Sequence, residues 1–453
     1  MGASCLDFVE KLTALTAMAF ATTAPVLGRG PSTRRDLVVL RAPHGQHFAR
    51  LGRSPWRGAS LLPTHLHGKR LISTHHRLPR LLCQQKREER TLPESEAVQE
   101  IARWSDERLL QLTLTGPLSE AAPSSVKHPQ ALPQWRRLGE LLVTQLGIRE
   151  MSRDARVRIF QYYLPLFFWM RETMHRVRKS RDTDADPRHG VVIGIQCPQG
   201  GGKTTLTTAL EQLFREVRLS CVVLSIDDFY WTRAQQQALA DSHRFNPLLQ
   251  MRGNPGTHDI ELAMQTLTQL VRRPVDGEEA TVAVPRYDKS AYNGRGDRAP
   301  PEMWPRVHRP VDVVLLEGWC LGFRALPPNA PALHEQAIRA NGLVEVNQLL
   351  QEELSRLYGL LDAFVVIGLE GDDTHRALQV VYDWRLQAEQ EMRAQGKDGM
   401  TDEQVRAFVD KFMPAYHAYL QGLYDGPPLL GDRSRELRFR INRSRQPTRR
   451  TRI

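Results

Sequence analysis

The stretch GIQCPQGGGKTTLTTALEQLF, Gly194 to Phe214, nearly spells the phosphate-binding pattern G-x-x-x-x-G-K followed by Ser or Thr. Gly202, Lys203 and Thr204 fit it, but the first glycine position holds Cys197. That position mainly needs a small residue where a strand turns into the loop, and cysteine is small. The flanks agree with a loop of this kind. VVIGIQ (191–196) reads as a buried strand, and KTTLTTALEQLFREVR (203–218), free of Pro and Gly, reads as a helix. In such a unit Gly200, Gly201 and Gly202 let backbone N–H groups point inward around phosphate oxygens, and the helix N-terminus adds positive dipole. The expected cradle runs through Cys197, Pro198, Gln199, Gly200, Gly201, Gly202, Lys203, Thr204 and Thr205. Lys203 would reach the terminal phosphates and Thr204 would ligate Mg2+. Cys197 reads first as a small residue and second as a redox-sensitive thiol.

The same alternation continues downstream. CVVLSI (221–226), VDVVLLEG (311–318) and AFVVIGLE (363–370) read as further strands, and ELRFRI (436–441) as a fifth. Continuous β-branched runs separated by helical segments predict an α/β fold, a doubly wound and mainly parallel sheet covered on both faces. Upstream, PQWRRLGELLVTQLG (133–147) and RVRIFQYYLPLFFWMRETMHRVRK (156–179) carry apolar residues at helical spacing. Their aromatics Tyr162, Tyr163, Phe167, Phe168 and Trp169 read as core or packing surface. RDTDADPRHG (181–190) is a polar linker. The expected organisation is a leader over 1–94, a helical region over 95–185, the α/β domain over 186–447 and a basic tail over 448–453.

Charge is unevenly placed. The 453 residues carry a net +11, yet ten basic residues and no acid lie between Leu37 and Arg87. A further nine Arg against one Glu lie between Arg433 and Ile453, leaving 88–432 mildly acidic. A nucleic-acid partner is not expected, because counterion release needs basic residues on the folded surface. The five cysteines form no C-x-x-C pair and no metal spacing, which suits a reducing compartment. No run is apolar for long enough to span a membrane, so no stable membrane insertion is expected. LTALTAMAFATTAPVLG (12–28) followed by an acid-free Arg/His/Ser-rich stretch resembles a two-part plastid presequence. The alternative is a disordered arm.

Three acids and two loops carry the chemistry. SIDDFYWT (225–232) follows the second strand, where α/β proteins bind ligands. Asp227 is expected to take the proton of an attacking hydroxyl and help hold Mg2+. Asp228 would cap the next turn or support the substrate, with Tyr230 beside it. Glu317 ends a buried strand and fits the acid that holds the magnesium water shell. VPRYDKSAYNGRGDRA (284–299) offers Arg286, Tyr287, Asp288, Lys289, Arg295 and Arg298, a trap for a small anion. MRGNPGTHD (251–259) adds Arg252, His258 and Asp259, with His258 reading equally as structural or substrate-binding. Arg385, in YDWRLQAEQEMRAQGKDGMTDEQV (382–405), would close over a transferring phosphoryl group as a lid arginine. Its alternative is an ordinary helix-surface cation.

In this order the motifs resemble P-loop kinases related to uridine kinase and phosphoribulokinase. CPQGGGKTTL, SIDDFYWT, RGNPGTHD, VPRYDKSAYNGRGDRA, LLEGWCLGF and YDWRLQAE together resemble the D-glycerate 3-kinases of plant and algal chloroplasts, from about Pro133 to Pro447. The resemblance implies ATP and Mg2+ as requirements, D-glycerate as substrate and 3-phosphoglycerate as product, the closing step of photorespiration. It also implies a plastid stroma location, with the mitochondrion as alternative, and a monomer or homodimer. A related kinase acting on a nucleoside, pantothenate or a pentose phosphate stays open. So does a nucleotide-binding regulator, although Lys203, Asp227 and Glu317 are all present.

Overall fold

Val191–Gln196 (β1) is buried at all six positions, which only a strand flanked on both edges and covered on both faces can satisfy. The computed structural model describes residues 95–450 apart from 122–128, 182–187, 332, 334–341, 372, 395 and 397–398. The expected leader, with Cys5 and Cys83, lies outside the described residues, as do most of the linker and residues 451–453.

Beside β1 come Cys221–Ser225 (β2), Val313–Gly318 (β3), Ala363–Leu369 (β4), Glu436–Ile441 (β5) and Pro447–Arg450 (β6). They form one sheet in the order β6-β5-β4-β1-β3-β2. Every pairing is parallel except β6 on β5. The fold is therefore the α/β architecture with a mainly parallel sheet, and the five strands read from sequence are all in it. Three run shorter than expected, β4 by Glu370 alone. Asp312 precedes β3 because its side chain accepts from Ser220 N at 2.8 Å and Ser220 Oγ at 2.7 Å. Ile226 leaves β2 because Ser225 and Asp228 cap a 3-10 turn there. β6 adds an antiparallel edge strand to the sheet.

Leu132–Gln145 (α1) and Leu164–Ser180 (α2) are the long helices of the helical region ahead of the sheet, which begins with the shorter Glu96–Ala102 and Asp106–Thr115. The expected helix over 156–179 opens as a wide π turn, Val157–Tyr163, before α2. Pro165 explains it: proline lacks the N–H for an α-helical bond and its ring crowds the carbonyl four residues back. The aromatics are core. Phe167 meets Phe214 at 5.0 Å, Tyr162 meets Phe439 at 5.4 Å, and Trp135 meets Phe168 at 4.8 Å. The helical region thus packs on Lys203–Glu216 (α3), the helix after the phosphate loop, and on β5. Ile260–Val271 (α4), Gln379–Ala394 (α5), Asp402–Asp410 (α6) and Met413–Asp425 (α7) are among the helices that follow. From β1 the chain moves to β3 and β2 on one side and β4 on the other, so a crevice opens beyond the C-terminal strand ends.

Candidate active site

The loop leaving β1 turns at Gly200 (φ 77°) and Gly202 (φ 88°), both left-handed, a conformation open to glycine at no steric cost. Lys203 Nζ donates to the carbonyls of Cys197 at 2.9 Å and Pro198 at 3.2 Å, and Gln199 N donates to Tyr416 Oη at 3.0 Å. Thr204 and Thr205 are exposed in the first turn of α3. Cys197 is buried, and a Cβ on Gly201 would collide with its Sγ. Burial pushes the thiol up to about 11, so it is protonated near neutral pH.

The 3-10 turn Ile226–Phe229 brings the acids to the same crevice. Asp228 Oδ2 accepts Ser225 N at 3.2 Å, closing a capping box, and also pairs with Arg286 Nη1 at 3.2 Å. Asp227 accepts Tyr230 Oη at 2.7 Å and Lys289 Nζ at 2.6 Å. Burial raises its pKa, but the charge and hydrogen bond of Lys289, with Tyr230, bring it below the ordinary aspartate value. Glu317, at the end of β3, sits opposite Ile195 of β1 and Ser225 of β2. Its pKa is raised by burial and by Asp227, against the opposing charge of Lys203. Its Oε2 is buried with no hydrogen-bond partner. An orphaned carboxylate oxygen beside a second carboxylate suits a hard cation taking oxygen ligands. Among the described residues no group of three or more His, Cys, Asp or Glu gathers for a metal. A magnesium site here would rest on Thr204, Asp227 and Glu317, with water and phosphate completing it.

The two cationic loops divide into committed and available charges. Gly253, Asn254 and Thr257 close the first loop, with Thr257 Oγ1 donating to Asn254 O at 2.7 Å. That turn delivers His258 beneath Tyr230, rings stacked at 4.6 Å. His258 has both ring nitrogens buried without hydrogen bonds, and burial lowers its pKa to about 4 against the pull of Asp227. Asp259 caps α4 through Leu262 N at 3.0 Å and pairs with Arg298 Nη2 at 3.0 Å. Arg298 also donates to Tyr230 O at 2.9 Å, so it braces the site and is largely buried. Tyr287 and Asp288 pair with Arg298 and Asp297 in a short ribbon, and Tyr287 packs edge-on to Tyr230. Asp288 accepts Ser290 N at 2.9 Å and holds the turn. Arg252 lies 5.3 Å over the Tyr287 ring and donates to the carbonyls of Lys289, Gly294 and Arg295. Lys289 and Arg295 are exposed.

Arg385, the expected lid arginine, lies on α5. Its Nη2 is bonded to Glu389 at 2.7 Å and its guanidinium lies 5.4 Å over Phe408. The neighbour Trp384 is the residue of α5 that packs on the phosphate loop. Two contributors had no motif to announce them, Tyr416 and Arg445, whose Nε donates to Gly200 O at 2.7 Å, while Trp384 stood in YDWRLQAE with no role assigned to it. A cavity of about 520 Å³, lined by Leu369, Glu370, Asp373, Arg376 and Asn442 among others, opens at the ends of β4 and β5.

A parallel α/β sheet, a glycine-rich loop with its lysine at the head of α3, and acids on the two adjacent strand ends define a P-loop kinase. No family model matches the chain. It is 37% identical over 342 residues to the chloroplastic D-glycerate 3-kinase of Arabidopsis thaliana, covering 75% of this chain and 72% of that one. The uncharacterized kinase mug58 of Schizosaccharomyces pombe is 36% identical over 234 residues, 51% of this chain and 80% of that one. A solved D-glycerate 3-kinase from Cryptococcus neoformans var. grubii superposes with TM-score 0.55 at 31% identity, covering 64% of this chain and 98% of that one. The chain belongs to the D-glycerate 3-kinase family.

Proposed function

We propose that this chain transfers the γ-phosphoryl group of ATP to the 3-hydroxyl of D-glycerate, giving 3-phosphoglycerate and ADP. The observation that carries the chemistry is Asp227, partly shielded from solvent yet kept ionised by Lys289 and Tyr230. It lies within electrostatic reach of Glu317, which in turn feels Lys203 of the phosphate loop. Asp227 accepts the hydroxyl proton as the glycerate oxygen bonds to the γ-phosphorus and the bond to ADP breaks. Lys203 and the loop N–H groups take up charge on the transferring group, which positioning and neutralisation stabilise more than base strength does. Magnesium, held by Thr204, Asp227 and Glu317, supplies further neutralisation of the phosphates when bound.

Glycerate is a small hydroxy-carboxylate, and its anion needs an accessible cation. With Arg286, Arg298 and Lys289 already paired to Asp228, Asp259 and Asp227, the carboxylate falls to Arg295 and Arg252, which hold no carboxylate among the described residues. Plastid targeting is supported by the acid-free stretch 37–87 within the leader and by the plant relative being named chloroplastic; a role in photorespiration follows from that location.

The test is ADP release by the full chain with ATP, Mg2+ and, separately, D-glycerate, L-glycerate, uridine, pantothenate and ribulose 5-phosphate. Turnover on D-glycerate alone is expected. Turnover on another member of the panel would keep the kinase and remove the substrate. Fusion of residues 1–94 to a fluorescent protein checks the location, and a signal confined to the cytosol or mitochondria would refute it.

A further inference from the structure

The turn between β5 and β6 touches both borders of the nucleotide site. The chain reverses over Asn442–Gln446, with Asn442 N donating to Gln446 O at 2.9 Å and Gln446 N to Asn442 Oδ1 at 3.0 Å. Closing this turn puts Arg445 at φ 60°, a conformation that a non-glycine residue keeps only where its surroundings fix it. From there its guanidinium bonds in separate directions. Nε reaches Gly200 O of the phosphate loop at 2.7 Å, and Nη1 and Nη2 both reach Gln387 Oε1 of α5 at 3.2 Å. The group lies 5.1 Å over the Trp384 ring. The turn grips α5 twice more, through Trp384 Nε1 to Arg443 O at 2.8 Å and Arg443 Nη2 to Asp383 Oδ2 at 3.3 Å. Trp384 in turn fits so tightly to the loop that a Cβ on Gly200 would lie 2.5 Å from its own Cβ.

We infer that Arg445 is a positioning residue for the nucleotide half of the reaction, a strut that holds the phosphate loop and α5 in one register. A residue needed only to finish the sheet edge would bond within the sheet. Arg445 instead spans two elements that, among the described residues, no other charged side chain hydrogen-bonds together. Its donors hold Gly200 from the carbonyl side, which leaves the loop N–H groups to face phosphate oxygens. The inference rests on ATP being the phosphoryl donor and does not depend on the second substrate.

The experiment is equilibrium titration of the full chain with ATP and Mg2+ in the absence of a second substrate, followed by separate KM values for ATP and D-glycerate. Arg445→Met is expected to weaken ATP binding about 10- to 100-fold, the effect of losing hydrogen bonds to a charged group. KM for ATP should rise with it while KM for D-glycerate stays within about twofold, a split that general destabilisation would not produce. Arg445→Lys, which keeps the charge and a donor for Gly200, should recover part of the loss. Gln387 is exposed, so Gln387→Met removes the α5 anchor with the fold intact. It should give a smaller loss in the same direction and add little to Arg445→Met in the double variant. Unchanged ATP affinity in Arg445→Met, or equal loss in both KM values, overturns the strut. Should Arg445→Met fail to fold, unchanged affinity in Gln387→Met overturns it. Expected ATP results without D-glycerate turnover would leave the strut standing and refute the substrate instead.

Discussion

At Asp227, burial and partnership pull in opposite directions, and partnership wins. The consequence is testable through Lys289, which is exposed and therefore replaceable. With Lys289→Met the counter-charge goes, burial dominates, and the Asp227 carboxyl rises. A base must be ionised to act, so the acidic limb of kcat/KM should move to higher pH. A pH–rate profile from about 4 to 9 would show it; a limb that stays put or moves to lower pH removes Asp227 as the base. A second expectation ranks two residues. Lys203→Ala should lower kcat more than Asp227→Asn, whose loss is about 10²–10⁴-fold, because charge neutralisation outweighs base strength in a loose transition state. Equal or reversed losses would reject that ranking. The positions of Lys203, Asp227 and Glu317 were legible because each stands at or beyond the C-terminal end of an apolar strand in a spaced motif. The commitments of the loop cations were not. Nothing in the spacing of Arg298 says that Asp259 holds it, nor that His258 lies neutral under Tyr230, since both depend on how two loops fold over each other.

At the scale of the element, the phosphate loop shows how a departure from the usual pattern is accommodated. Cys197 occupies the space into which a Cβ on Gly201 would project, so the two positions are coupled. Gly201→Ala should overpack the loop by about 1–3 kcal/mol and weaken ATP binding about 10- to 100-fold. Cys197→Gly in the same chain removes the sulfur and should restore most of that affinity. The remainder reflects Pro198 O, 3.1 Å from the new Cβ. Titration of the single and double variants with ATP decides, and a double variant as weak as Gly201→Ala would clear the sulfur of any part. The strands were readable because a fully buried parallel strand is a continuous apolar run, as in Val191–Gln196. β6 was not, because Pro447-Thr-Arg-Arg carries no apolar pattern and sits at an edge. The π turn ahead of α2 was hidden for another reason: Pro165 could as readily have started a new helix as widened an existing one.

On the scale of the whole molecule, the arginines that give residues 433–453 their excess charge are held by partners where they lie in and beside β5. Arg440 donates to Leu369 O at 3.3 Å and lies over Tyr424, while Arg445 reaches the phosphate loop. Arg438 is the most enclosed of them, with its side chain 3% exposed beside Glu436 at 0%. It bonds Glu436 Oε1 at 2.6 Å and the carbonyls of Tyr424, Gly426 and Pro427, while Glu436 Oε2 accepts Leu429 N at 2.6 Å. This cluster fastens the end of α7 and the following loop to β5, next to β4 at the core of the sheet. Breaking a buried pair by removing one partner costs about 3–5 kcal/mol, because the other charge stays buried without its counter-ion. Arg438→Met should therefore lower the urea midpoint substantially, while Arg438→Met with Glu436→Gln should recover part of it by removing the stranded charge. The three carbonyls that Arg438 serves remain unpaired in both variants, so recovery should be incomplete. Matching midpoints for the single and double variants would mean that the carbonyl bonds, not the ion pair, hold this corner of the fold.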